Sequence, residues 1–135
     1  MKHKAFTLIE LLVVISIIGI LATLIINNLS DARARARDSR RKSDLNQLKT
    51  SLRLYYNDNQ SFPLAADLPA SGEFAVGDTI YMQQLPEEFT YTSTGGDTYS
   101  LKTTLENASD PDLIKTQTAC LPAPDGTLDY YICEN

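Results

Sequence analysis

The chain has 135 residues, a formal net charge of −5 and two cysteines, which makes a single domain the default. Its one histidine, His3, sits at the extreme N-terminus. No zinc set can be assembled and no usual catalytic group can be built around it, so an enzyme is not expected. The net charge conceals a polarity: residues 31–53 carry eight Lys/Arg against three Asp/Glu, and residues 54–135 carry two against thirteen.

Residues 1–5, MKHKA, are short and basic. The run Phe6–Ile26 that follows holds a single charge, Glu10. As a helix it would measure about 31 Å, enough to cross a bilayer core. A carboxylate in such a span is costly unless something pairs with it. An ordinary secretory signal places its small-residue cut site after the apolar run. Here the small residue, Ala5, precedes it, while Ala32, Ala34 and Ala36 keep a cut after the run open as an alternative.

The stretch KAFTLIELLVVISIIGILATL resembles the N-terminus of type IV pilins and of the pseudopilins of type II secretion systems. The shared pattern is a basic leader, a small residue, Phe, three more residues, Glu and an unbroken apolar helix. The resemblance implies a leader over 1–5 and a prepilin peptidase cut between Ala5 and Phe6, with methylation of the new amine. It also implies a polymerisation helix over 6–26. Glu10, fifth in the mature chain, would then pair with the Phe6 amine of a neighbouring subunit and set axial register. An intramolecular Glu10–Phe6 pair, or a Glu10 wetted at the membrane surface, are the competing readings. Two departures stand out: Ala5 replaces the usual Gly, and Asn27 occupies a place where many pilins carry Pro.

Topology pulls two ways. Lys2 and Lys4 favour an inside N-terminus, whereas the cations from Arg33 to Lys42 favour the reverse. The cut site, the paired cysteines and the acidic distal region decide for a single pass with the N-terminus inside. The expected location is the cytoplasmic membrane first, then an extracellular or periplasmic filament.

Residues 27–57 predict an amphipathic stem that continues the helix, since neither Pro nor Gly interrupts 27–56. Asp31–Arg35 and Asp38–Lys42 stand at the i,i+4 spacing of an exposed, ion-paired face. Leu45, Leu48, Leu52, Tyr55 and Tyr56 form one apolar stripe. The run ARARARDSRRK has the cations for phosphate binding, but no aromatic side chains interleave for stacking, so nucleic acid is not expected as a partner. A basic stem and an acidic head also suit attraction between subunits, head to stem, with two solvated faces of incidental sign as the alternative.

Residues 58–135 are the expected head. Asn57 to Pro63 ends the helix. Residues 63–78 read as a connecting loop marked by Pro and Gly. Phe89–Thr92 and Tyr99–Leu105 alternate about the turn at Thr94–Asp97 and read as an antiparallel hairpin. A third strand over Leu128–Cys133 follows a turn at Pro122–Gly126. An even cysteine count behind a membrane-targeting segment favours a Cys120–Cys133 disulfide in an oxidising place, with two free thiols as the alternative. A C-terminal disulfide loop is also a feature of the pilins that the chain resembles. Asp97, Asp110 and Asp112 are weak candidates for a calcium site, with ordinary turns as the alternative; no other cofactor is expected.

The fold class expected is α+β: a long N-terminal helix, half transmembrane and half amphipathic stem, packed against a small antiparallel sheet, which is the pilin fold. The expected function is that of a structural subunit in a type IV pilus or pilus-like filament. Its partners would be further copies in a helical homo-oligomer, prepilin peptidase, the pilus or secretion assembly machinery, and the membrane before assembly. A type II secretion major pseudopilin and a non-polymerising, signal-anchored extracellular binding protein are the alternatives.

Overall fold

A computed structural model describes residues 6–120 and 128–134, the side chains of 24–28 excepted. The leader, with Ala5 of the expected cut, and the expected turn at Pro122–Gly126 lie outside those residues. Two compact units divide the chain, residues 1–34 and 35–135. The first helix, α1, runs Leu8–Asn59.

Helix α1 begins where local chemistry favours a start. The Thr7 hydroxyl accepts the Glu10 N–H at 3.3 Å, and the Glu10 carboxylate accepts the Thr7 N–H at 2.9 Å. That reciprocal pair is a capping box, with Thr7 as N-cap and Glu10 at the third helical position. The helix ends at Gln60, which takes a left-handed φ of 57° and donates its N–H to the Tyr56 carbonyl at 2.7 Å.

In the second unit, two sheets meet the inner face of α1. Strands β1 (Phe74–Val76) and β2 (Thr79–Met82) form an antiparallel hairpin. Strands β3 (Thr90–Thr92), β4 (Tyr99–Thr104) and β5 (Asp129–Glu134) form a second antiparallel sheet in the order β3-β4-β5. Leu101 sits opposite Tyr91 on one side and Ile132 on the other. Along β4, Tyr99, Leu101 and Thr103 turn inward at every second position. They close on Leu45, Leu48 and Leu52 of α1, which have no exposed area. Phe62, Leu68, Phe74 and Leu85 complete the cluster. Burial pushes the Tyr99 phenol up to about 12, so it stays protonated.

The expected α+β architecture, the apolar stripe, the β3–β4 hairpin and the third strand are all present. Two elements correct the sequence reading. The stretch over 63–78, expected to be a loop, contains β1 and leads into β2; these strands are three and four residues long, too short to show a period. A second helix, α2 (Asp112–Ala119), occupies a stretch to which the sequence reading assigns no element. Its eight residues bury one side chain, Leu113, so little apolar pattern marks it.

Candidate functional site

Two features of the chain carry chemistry, one in each unit. The first is the N-terminal segment. From Phe6 to Leu21 its large apolar side chains are exposed on every side, from 75% at Phe6 and Leu8 to 46% at Val14. An added Cβ at Gly19 would meet nothing within 4 Å. Burying each large side chain is worth about 1.5–3 kcal/mol, and none of the described residues of this unit covers them. Among the described residues no helix is long and apolar enough to cross a membrane. The described side chains of the apolar run stop at Thr23, short of the expected 6–26 span.

Glu10 lies inside this surface. Both of its bonds to Thr7, from the N–H at 2.9 Å and the hydroxyl at 2.8 Å, fall on Oε2. Oε1 accepts no hydrogen bond among the described residues. In the uncut chain the Phe6 nitrogen is a peptide nitrogen, so the charged donor expected for Glu10 does not yet exist. The capping role of Thr7–Glu10 is written in the sequence as T-x-x-E ahead of an apolar run, a second task for Glu10 beside the pairing that the resemblance implies.

The second feature joins the stem part of α1 to the acidic head. Arg37 meets Glu106 through two bonds, Nε to Oε1 at 2.8 Å and Nη2 to Oε2 at 2.5 Å. Arg41 adds Glu106 at 2.9 Å, Asp38 at 3.0 Å and Glu88 at 3.2 Å. The hydrogen bonds from Arg37 and Arg41 hold the Glu106 carboxyl down at about 2. Lys42 donates to Asp110 at 2.5 Å and Asp112 at 2.9 Å. Burial pulls the Lys42 ammonium down, but those two carboxylates more than offset it and leave it raised. Arg53 closes the far end on Glu134 at 2.7 Å.

Asp38 corrects the expectation of an exposed Asp38–Lys42 pair. It is only 2% exposed and accepts the N–H groups of Glu106 and Asn107 at 2.9 and 2.8 Å. Lys42 reaches across to the loop before α2 and its first turn. Local spacing offers a partner for each residue; the fold supplies better ones from about seventy positions away. Sequence reasoning misses Asp38 as a pin because its surroundings in the chain are all polar.

The remaining site residues fall as follows. Cys120 and Cys133 are bonded, their Cα atoms 5.7 Å apart, tying the end of α2 to β5. The calcium candidates do not converge: Asp110 and Asp112 share the Lys42 ammonium, while Asp97 accepts the Tyr56 hydroxyl at 2.7 Å. No group of three metal-ligating side chains occurs among the described residues. Of the basic run, Arg37, Arg41 and Lys42 are engaged by head acids, which removes half of the cations that a phosphate backbone would need.

The chain thus carries a capped apolar helix segment and, in the second unit, a stem packed on small antiparallel sheets. Residues 1–26 match the prokaryotic N-terminal methylation motif. Over 62 residues the chain is 40% identical to the type II secretion system core protein G of Escherichia coli, covering 46% of this chain and 43% of that protein. It is 49% identical over 59 residues to the type IV wide pilus major component PilA4 of Thermus thermophilus, covering 44% and 45% of the two chains. It is 36% identical over 61 residues to the type IV major pilin protein PilA of Myxococcus xanthus, covering 45% and 28%. The matched part of this chain therefore spans less than half the length of each of these relatives. No solved structure matches. The likeness to these type IV pilus and type II secretion proteins thus covers less than half of the chain.

Proposed function

We propose that the chain is a structural subunit of a type IV pilus or pilus-like filament and carries no catalytic activity. Prepilin peptidase cuts between Ala5 and Phe6, and the helix over 6–26 then polymerises the subunit. The observation that carries this reading is a methylation motif heading a helix whose apolar side chains are exposed on every side. Such a surface must be covered, by lipid before assembly and by the same segment of other copies afterwards. The chain crosses the cytoplasmic membrane once with its N-terminus inside, and its head lies in an extracytoplasmic, oxidising place that suits the Cys120–Cys133 bond.

Cleavage turns the Phe6 nitrogen into a cation. Glu10 Oε2 is held by Thr7, which leaves Oε1 for the Phe6 amine of the adjoining copy. One carboxylate then starts its own helix and sets the register of the next subunit. Similarity to core protein G favours a second reading, a type II secretion major pseudopilin, which would use the same residues.

The deciding measurement is the N-terminal residue and intact mass of the chain in purified filaments. The expected result is N-methylated Phe6 and a mass lacking residues 1–5. A chain that keeps its leader and is absent from filaments overturns the reading.

A further inference from the structure

Several exposed charges are left over after the internal pairs form. On the stem, Arg35 and Arg40 are exposed and reach no head acid among the described residues. The Arg40 side chain is 84% exposed, and its nearest carboxylate is Asp44 of its own helix at 3.9 Å. Ala36, Ser39 and Ser43, all exposed, lie beside them on the helix surface. At 3.6 residues per turn these five positions share the side of α1 turned away from Leu45, Leu48 and Leu52.

On the head, no Lys or Arg occurs between Arg53 and Lys102. Within that interval Glu73 and Asp78 are exposed and have no ion partner among the described residues. Glu73 precedes β1 and Asp78 sits in the turn between β1 and β2, a hairpin whose Val76 and Ile80 are 46% and 53% exposed. Its Gly77 turn, at a φ of 59°, has open space around it. The hairpin is therefore an acidic knob with one exposed apolar side chain on each face, and the stem presents a basic-edged strip with a floor of small side chains.

We propose that the strip between Arg35 and Arg40 receives the β1–β2 hairpin of a second copy of this chain, with Glu73 and Asp78 of one copy facing those arginines of the next. Two unlike, mutually matched patches on one chain make a head-to-tail contact, which propagates as a filament instead of closing as a dimer. Opposite charges also steer the encounter and disfavour a knob meeting a knob. The inference rests on the filament reading above and adds a second contact to it, remote from Phe6 and Glu10.

The test uses the full chain in cells that assemble it. Charge reversal on the strip (Arg35→Glu with Arg40→Glu) and on the knob (Glu73→Lys with Asp78→Lys) should each cut recovered filament at least tenfold. All four together should restore it to within about threefold of wild type. Both reversals spare the core and the Cys120–Cys133 bond, so unchanged thermal melting of the detergent-extracted chain checks folding. In parallel, Arg40→Cys with Asp78→Cys should give an oxidative ladder of multimers in filaments. Filament levels unmoved by either reversal, no rescue in the combined variant, or a cross-link to a different protein overturns the contact. A wild-type chain that forms no filament at all would sink the filament reading first, and this contact with it.

Discussion

The two halves of α1 are built for different neighbours. From Phe6 to Leu21 the large apolar side chains are exposed on all sides. From Asp38 to Leu52 the apolar side chains occupy one face, and that face is fully buried by the chain's own sheets. Charges follow the same division. Among the described residues the lone Glu10 bonds only within its own helical turn, whereas Asp38, Arg41 and Lys42 are satisfied by residues far along the sequence. Where apolar surface is covered marks what the segment folds against, and where it is bare marks what it assembles with.

The sharpest way to break this contrast is Glu10→Ala. Assembled filament should fall by well over tenfold, each factor of ten corresponding to about 1.4 kcal/mol, while the melting of the head stays put. Filament yield per cell beside the head's melting curve checks both halves of that statement. A non-polymerising, anchored protein would show neither change.

Asp38→Ala should do the reverse. It leaves two buried N–H groups and part of the Arg41 charge without an acceptor, which typically costs about 3–5 kcal/mol. Denaturant titration of the head reads the loss. Asp38→Asn, which keeps one acceptor oxygen, should recover part of it. Removing the Cys120–Cys133 bond by paired Ser substitution leaves no closed ring in the unfolded chain and should cost about 3 kcal/mol. Thr7→Ala should cost about 1 kcal/mol of local helix only, visible as faster amide exchange over the first turn of α1 and not in the head.

The two halves are unequally legible in the sequence. The basic start, the apolar run and the position of Glu10 are strictly local features, so they read directly from the order of the residues. The stripe from Leu45 to Leu52 is legible for the same reason, because a helix writes its buried face at a fixed period. The alternation of Tyr99, Leu101 and Thr103 announces β4 in the same way. What escapes depends on distant partners or on too few residues. Asp38 sits among arginines and serines and looks solvated until residues 106 and 107 arrive. Strands β1 and β2 and helix α2 are short and mostly exposed, so they write almost no period. The basic stem and acidic head suggest, in sequence, attraction between subunits. Much of that polarity is spent within one chain, while exposed charges such as Arg35, Arg40, Glu73 and Asp78 stay available for a neighbour.

Acid should separate the halves again, by the smallest effect. Glu106 is held down at about 2 by Arg37 and Arg41, against an unfolded value near 4.5. A depressed carboxylate adds stability above its unfolded pKa, and that stability is lost as pH falls through the folded one. The contribution is therefore complete at neutral pH, fades between about 4.5 and 2, and is gone below. The group is solvent-exposed, so salt should weaken the effect. Glu106→Gln should flatten this part of the head's stability–pH profile while leaving the plateau near neutrality slightly lowered. If the acid limb keeps its slope in E106Q, the Arg37–Glu106–Arg41 cluster does not hold the stem to the head in solution, and other carboxylates, Asp110 foremost, carry the pH dependence.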